Sequence, residues 1–98
     1  MKNGPLRVVI HGDSMWPNFH DGDEVEFSAL GDDELKVGDV VVAAHPLKPS
    51  VVVVKRISKL VPPDRLFLVG DNPDPTASED SHNFGPVARS AVVAVLRT

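Results

Sequence analysis

The sequence predicts a small all-β domain, an antiparallel, coiled, barrel-like sheet with at most one or two short helical turns. Three observations carry this expectation. Seventeen of the 98 residues are valine, and branching at Cβ favours extended backbone. The valines fall in short blocks separated by Gly, Pro and Asp, which is turn chemistry. No window of a dozen residues holds a 3.6-residue apolar period, so crossover helices are not expected.

The elements follow in order. A first strand, Leu6–Ile10, ends at the His11-Gly12 turn. Asp21-Gly22-Asp23 introduces a second, Glu24–Phe27. After Gly31-Asp32-Asp33 the stretch Asp32–Lys36 makes one helical turn at most, and Asp39–Ala44 is the third strand. Pro46-Leu47-Lys48-Pro49 turns the chain into Val51–Ile57, and Pro62-Pro63-Asp64 turns it into Leu66–Val69. The Gly70–Val87 segment is too polar and too rich in Gly and Pro for a strand, and long ordered loops of this kind are usually functional. Ala91–Arg97 closes the set of six. The expected organisation is one domain over residues 1–98.

Composition excludes several functions. Ten basic against fourteen acidic residues give a net charge of -4, which leaves no basic stripe for nucleic acid or polybasic patch for a membrane surface. The absence of cysteine excludes disulfides, thiol catalysis and iron–sulfur sites. His11, His20, His45 and His82 sit on different turns without a His-x-x-x-His, so neither a metal nor another cofactor is expected. The longest apolar runs are far short of a bilayer span, and no long apolar segment follows Met1-Lys2-Asn3-Gly4-Pro5. The expectation is a soluble cytoplasmic domain with no membrane anchor.

Three segments could carry chemistry. In Val51–Ile57, residues 51, 53, 55 and 57 share one face, because side chains alternate along a strand. That face places Lys55 among Val51, Val53 and Ile57. Burial would lower its pKa and make it a general base. The alternative is a strand end at which Lys55 and Arg56 snorkel to water. In His11-Gly12-Asp13-Ser14-Met15-Trp16-Pro17, a Gly before and a Pro after hold Ser14 in a tight turn that could present its hydroxyl and backbone N–H to a carbonyl. Met15, Trp16 and Pro17 beside it could line a substrate cleft; alternatively Ser14 caps a turn while Met15 and Trp16 fill the core. A Ser14–His82–Asp80 triad is conceivable, but a histidine held by a carboxylate two residues away does not easily reach Ser14 and leaves Lys55 unexplained.

Together the segments resemble a known family. Gly12-Asp13-Ser14-Met15-x-Pro17 with Asp21-Gly22-Asp23 resembles the nucleophile box of the type I signal peptidase family of Ser–Lys proteases. Gly38-Asp39-Val40-Val41 and Val54-Lys55-Arg56 resemble the stretch ending at that family's lysine base. Gly70-Asp71-Asn72 through Ser78-x-Asp80-Ser81-His82-x-Phe84-Gly85-Pro86-Val87 resembles its last box. The resemblance implies Ser14 as nucleophile, Lys55 as base, Ser78 as the serine that orients the lysine, and Asp80 as a loop-shaping aspartate. His82 stands where the family has an arginine, and the Asn72–Ser78 spacing is two residues longer. Gly12 replaces a serine that some members use at the oxyanion.

The size, the Gly-Asp-Ser-Met-Trp-Pro box and the missing anchor look like the branch of nickel-type superoxide dismutase maturation proteases. The implied partner is then a dismutase precursor, bound as an extended peptide and trimmed of its leader; any nickel belongs to that substrate. A general signal peptidase-like processing protease is the nearest alternative. The self-cleaving SOS-response repressors share the Ser-Met box and strand lysine on a similar β-fold. Only thirteen residues precede Ser14, however, and the Gly70–Val87 box fits them poorly. A non-catalytic β-barrel adaptor for extended peptides is the non-enzymatic alternative.

Overall fold

The run Val40-Val41-Val42-Ala43 is apolar at every position because its strand is buried on both faces. Val41 and Ala43 pack with Ile57, Leu66, Leu68, Val87 and Val95 on one side. Val40 and Val42 pack with Met15, Phe27 and Ala94 on the other. The computed structural model describes residues 5–31 and 34–97, and this run is its central strand, β3 (Val40–Ala44).

Around it lie β1 (Leu6–Val9), β2 (Glu24–Ala29), β4 (Val52–Val61), β5 (Arg65–Val69), β6 (Val87–Ala88) and β7 (Val92–Val95). The sheet order is β1-β2-β7-β3-β4-β5-β6, and it does not close on itself. All six pairings are antiparallel. The expected small all-β fold is therefore present, as an open coiled sheet.

Details differ from the sequence expectation for physical reasons. The structure has seven strands, not six. β6 begins at the last residue of the segment expected to lack strand, where Val87 and Ala88 pair with Leu66 and Arg65. Two residues are too few for periodicity to reveal, yet Val87 is core. β4 runs on to Val61 because it changes partner: residues 52–56 pair with β3 and residues 56–61 with β5, with a register shift between Ile57 and Lys59. β7 starts at Val92, because Arg89–Ala91 forms a 3-10 turn.

The helical turn expected at Asp32–Lys36 falls partly outside the described residues, which exclude Asp32 and Asp33. Its remainder is a non-helical turn closed by the Asp39 carboxylate, which accepts from the Lys36 N–H at 2.9 Å. Helical turns occur instead at Pro75–Ala77 and in α1 (Ser81–Phe84). Asp80 caps α1 by accepting from the His82 N–H, and Asn83 reciprocates to the Asp80 N–H, a capping box. No helix among the described residues is long and apolar enough to cross a membrane.

Candidate active site

Lys55 decides the chemistry open to this fold. It pairs with Val41 across β3 and β4, so its side chain shares the face of Val41, Ala43 and Ile57. The residue is only 5% exposed. No carboxylate among the described residues lies within ion-pair distance of its amine. Burial lowers its pKa, partly offset by the charges of Asp80 and Glu79. The snorkelling alternative does not describe Lys55. Arg56, on the opposite face, is held rather than free.

Ser14 reaches the same place from the other end of the sheet. β1 delivers the chain to Ile10, whose N–H and carbonyl are tied to Asp23 and Gly22. Gly12 adopts φ +82°, a left-handed conformation, and donates its N–H to Asp21 Oδ1 at 2.7 Å. Asp13 then accepts from the Trp16 N–H, and Met15 from the Phe19 N–H. This turn seats Met15 in the core at 1% exposure and leaves Trp16 44% exposed. A cleft of about 180 Å³ runs between β1 and the start of β4; Val8, Ile10, Ser14, Met15, Val53 and Lys55 contribute to its lining. Three strands separate β1 from β4 in the sheet order, so only the coiling of the sheet makes them neighbours. Ser14, Met15 and Lys55 thus share the cleft; Trp16 and Pro17 are not among its lining residues.

The third segment abuts Ser14 from behind. The Asn72 N–H donates to the Ser14 carbonyl at 2.9 Å, and the Asn72 side chain donates to the Asp13 carbonyl at 2.8 Å. A methyl group at Gly70 would sit 2.6 Å from that same Ser14 oxygen and 2.5 Å from Ser78 Oγ. Glycine here is a requirement of close approach. The Ser78 hydroxyl is buried and without a hydrogen-bond partner among the described residues. Asp80 Oδ2 accepts from the Gly70 N–H at 3.2 Å, while Oδ1 accepts from the His82 N–H and faces the His82 Nδ1 at 2.9 Å. These hydrogen bonds outweigh burial and hold the Asp80 pKa below its usual range. The His82 ring packs edge-on against Phe67 and stays largely exposed, with no hydrogen bond to Ser14 among the described residues.

Two groups without an assigned role complete the site. Arg56 makes a bidentate pair with Asp71, both bonds 2.8 Å, and donates to the Gly38 carbonyl. Asn18, from the Ser14 turn, donates to Asp71 at 2.8 Å. The Lys55 strand, the Ser14 turn and the final loop are therefore clamped on one carboxylate. The only signal in the sequence was the position of Arg56 beside Lys55 and of Asp71 beside Gly70. The second group is His45 with Glu79, whose Nε2 and Oε1 lie 2.9 Å apart.

Removing the clamp is a defined experiment. Arg56→Ala leaves Asp71, whose side chain is 9% exposed, without its guanidinium. A loss of about 2 kcal/mol is expected, discounted because Arg56 is itself a third exposed. Arg56 hydrogen bonding lowers the Asp71 pKa, so the stabilisation is present above the unfolded carboxylate value of about 3.9 and is lost as pH falls through the lowered one. Thermal unfolding of both proteins should show a gap at pH 7 that shrinks below about pH 4. An equal gap at both would mean that the clamp is not ionic.

A family model described as Peptidase S24-like matches residues 5–87, which span all three segments of the site. No curated protein matches the chain.

Proposed function

The chain belongs to the Peptidase S24-like family, and from that premise we propose that it is a serine endopeptidase working through Ser14 and Lys55. The observation that carries the proposal is the desolvated amine of Lys55, free of any carboxylate partner among the described residues, lining the same cleft as Ser14. A neutral Lys55 takes the Ser14 hydroxyl proton as Oγ attacks the scissile carbonyl. The Ser14 backbone N–H donates to the resulting oxyanion. Lysinium then gives the proton to the leaving amine as the C–N bond breaks. The Ser14 ester is hydrolysed by a water that Lys55 deprotonates. The resemblance gives Ser78 the task of orienting the amine, and its buried, unpartnered hydroxyl is open to that contact; Asp80, pinned by His82, fixes the loop carrying Ser78.

The cleft suggests how substrate binds. Four successive antiparallel pairings make β1 and β4 run in the same direction. Among the described residues β1 pairs only with β2, and residues 52–55 of β4 only with β3. One extended peptide fits between these two open edges, hydrogen-bonding to both. With Met15 and the surrounding valines already filling the floor, only a small side chain fits beside Ser14. The finer assignment, removal of the leader of a nickel-type superoxide dismutase precursor, is supported by the resemblance of the boxes. The Ser-Met box shared with self-cleaving repressors, together with the family match, favours cleavage of the chain's own segment as a second reading.

The test is a peptide series varied at the residue before the scissile bond. Alanine should be cleaved about a hundredfold faster than phenylalanine, since the larger ring must displace core side chains. Equal rates would sink the shallow pocket. A mass adduct of a serine acylator on wild type, missing from Ser14→Ala, assigns the nucleophile. A concentration-independent loss of the chain's own intact mass would select the self-cleaving reading.

A further inference from the structure

His45 is a buried histidine that the mechanism above does not use. It follows β3 directly and is 3% exposed. The Leu47 backbone N–H donates to its Nδ1 at 3.0 Å, which puts the ring proton on Nε2. That Nε2–H donates to Glu79 Oε1 at 2.9 Å. The backbone of His45 is fixed as well: its N–H donates to the Val51 carbonyl and its carbonyl accepts from the Lys48 N–H. The Phe84 ring of α1 lies against the imidazole, with centroids 4.9 Å apart. The proton, the ring plane and the main chain are therefore all set before Glu79 is engaged.

Glu79 stands between Ser78 and Asp80, yet its own side chain points outward and is 60% exposed. An exposed glutamate has little reason to hold one rotamer unless a rigid partner fixes it. We propose that His45 is a positioning residue: through Glu79 it holds the Ser78–Asp80 segment against Lys55. The inference rests on the Ser14–Lys55 reading for its catalytic consequence, though not for its structural one. Anchoring the middle residue of the three fixes the direction of both neighbours. Ser78 Oγ is thereby pressed toward Gly70, and Asp80 Oδ2 is kept on the Gly70 N–H. The far side of the segment is held by the short capped turn of α1, where Ser81 Oγ accepts from the Leu68 N–H at 2.9 Å.

Two variants of the full chain separate the possibilities. His45→Phe keeps a ring on Phe84 but removes both nitrogen contacts; His45→Gln restores a donor toward Glu79. For His45→Phe, amide hydrogen exchange at Gly70 should quicken about tenfold while the β3 amides stay protected. Cleavage of an alanine-containing peptide should fall about tenfold in kcat with KM nearly unchanged, the signature of a misplaced base rather than a damaged cleft. His45→Gln should recover both to within about twofold. Unchanged exchange at Gly70 in a folded His45→Phe protein would overturn the anchoring. Faster exchange with unaltered kcat would overturn the positioning role. If wild type cleaves nothing and Ser14 takes no acyl adduct, the peptidase reading fails while the exchange arm still decides the anchor.

Discussion

Lys55→Met is expected to lose peptide cleavage by at least about 10³-fold and to yield a protein more stable than wild type at neutral pH. Methionine keeps the length and apolar volume of the lysine stem, so the packing against Val41 and Ile57 survives. What disappears is a group whose charged form burial penalises. The folded-state pKa of Lys55 lies below the unfolded value of about 10.4, so between the two the unfolded chain binds the extra proton and wild-type stability rises with pH. The advantage of Lys55→Met is thus largest below the lowered pKa and closes as pH climbs toward about 10.4. Wild-type activity should rise through the same lowered pKa and level off. Thermal unfolding and turnover of both proteins from about pH 6 to about pH 10 measure both effects. Wild-type turnover in the variant would remove Lys55 from the mechanism.

Gly70→Ala should be nearly as damaging, though it removes nothing. The new methyl would lie 2.5 Å from Ser78 Oγ, 2.9 Å from Ser78 Cβ and 2.6 Å from the Ser14 carbonyl oxygen. Ser78 could rotate away, but the Ser14 oxygen is main chain and already accepts from the Asn72 N–H. The segment must therefore move off the Ser14 turn. Overpacking of this kind costs about 1–3 kcal/mol, and a displacement near 1 Å of the Ser14 turn from its place against the final loop costs about a hundredfold in rate. Urea unfolding with peptide turnover tests both. A stable variant with full turnover would mean that Gly70 does not set the approach of the final loop to Ser14.

How much of this was legible beforehand depended on how local each signal is. The valine blocks gave the strands because β propensity and turn chemistry act within a few residues. Lys55 stood out because an ionisable group on an apolar strand face is a local conflict, and the structure buries it. Ser14 stood out through its turn. Arg56, Asp71 and His45 did not, since each acquires meaning only from a partner far along the chain: Arg56 and Asp71 are fifteen residues apart, His45 and Glu79 thirty-four. The change of partner along β4 was equally invisible, because alternation along one strand does not say which neighbour it faces. Trp16 shows the limit in the other direction. Its size and neighbours suggest a cleft wall or core, and the turn keeps it out of the core, 44% exposed.

The sheet order also bears on the birth of the protein. The strand between the Ser14 half and the Lys55 half is β7, last of the seven in the chain. A nascent chain emerges amino terminus first, and its early segments can pair only with what has already been made. The β1–β2 hairpin and the β3–β5 meander can each form early, but the ladder joining them waits for Val92–Val95. Until those residues leave the ribosome, nothing in the sheet brings the hydroxyl and the amine to opposite walls of one cleft. The sheet that sets the two walls of the cleft is thus completed only when the last strand of the chain has been made.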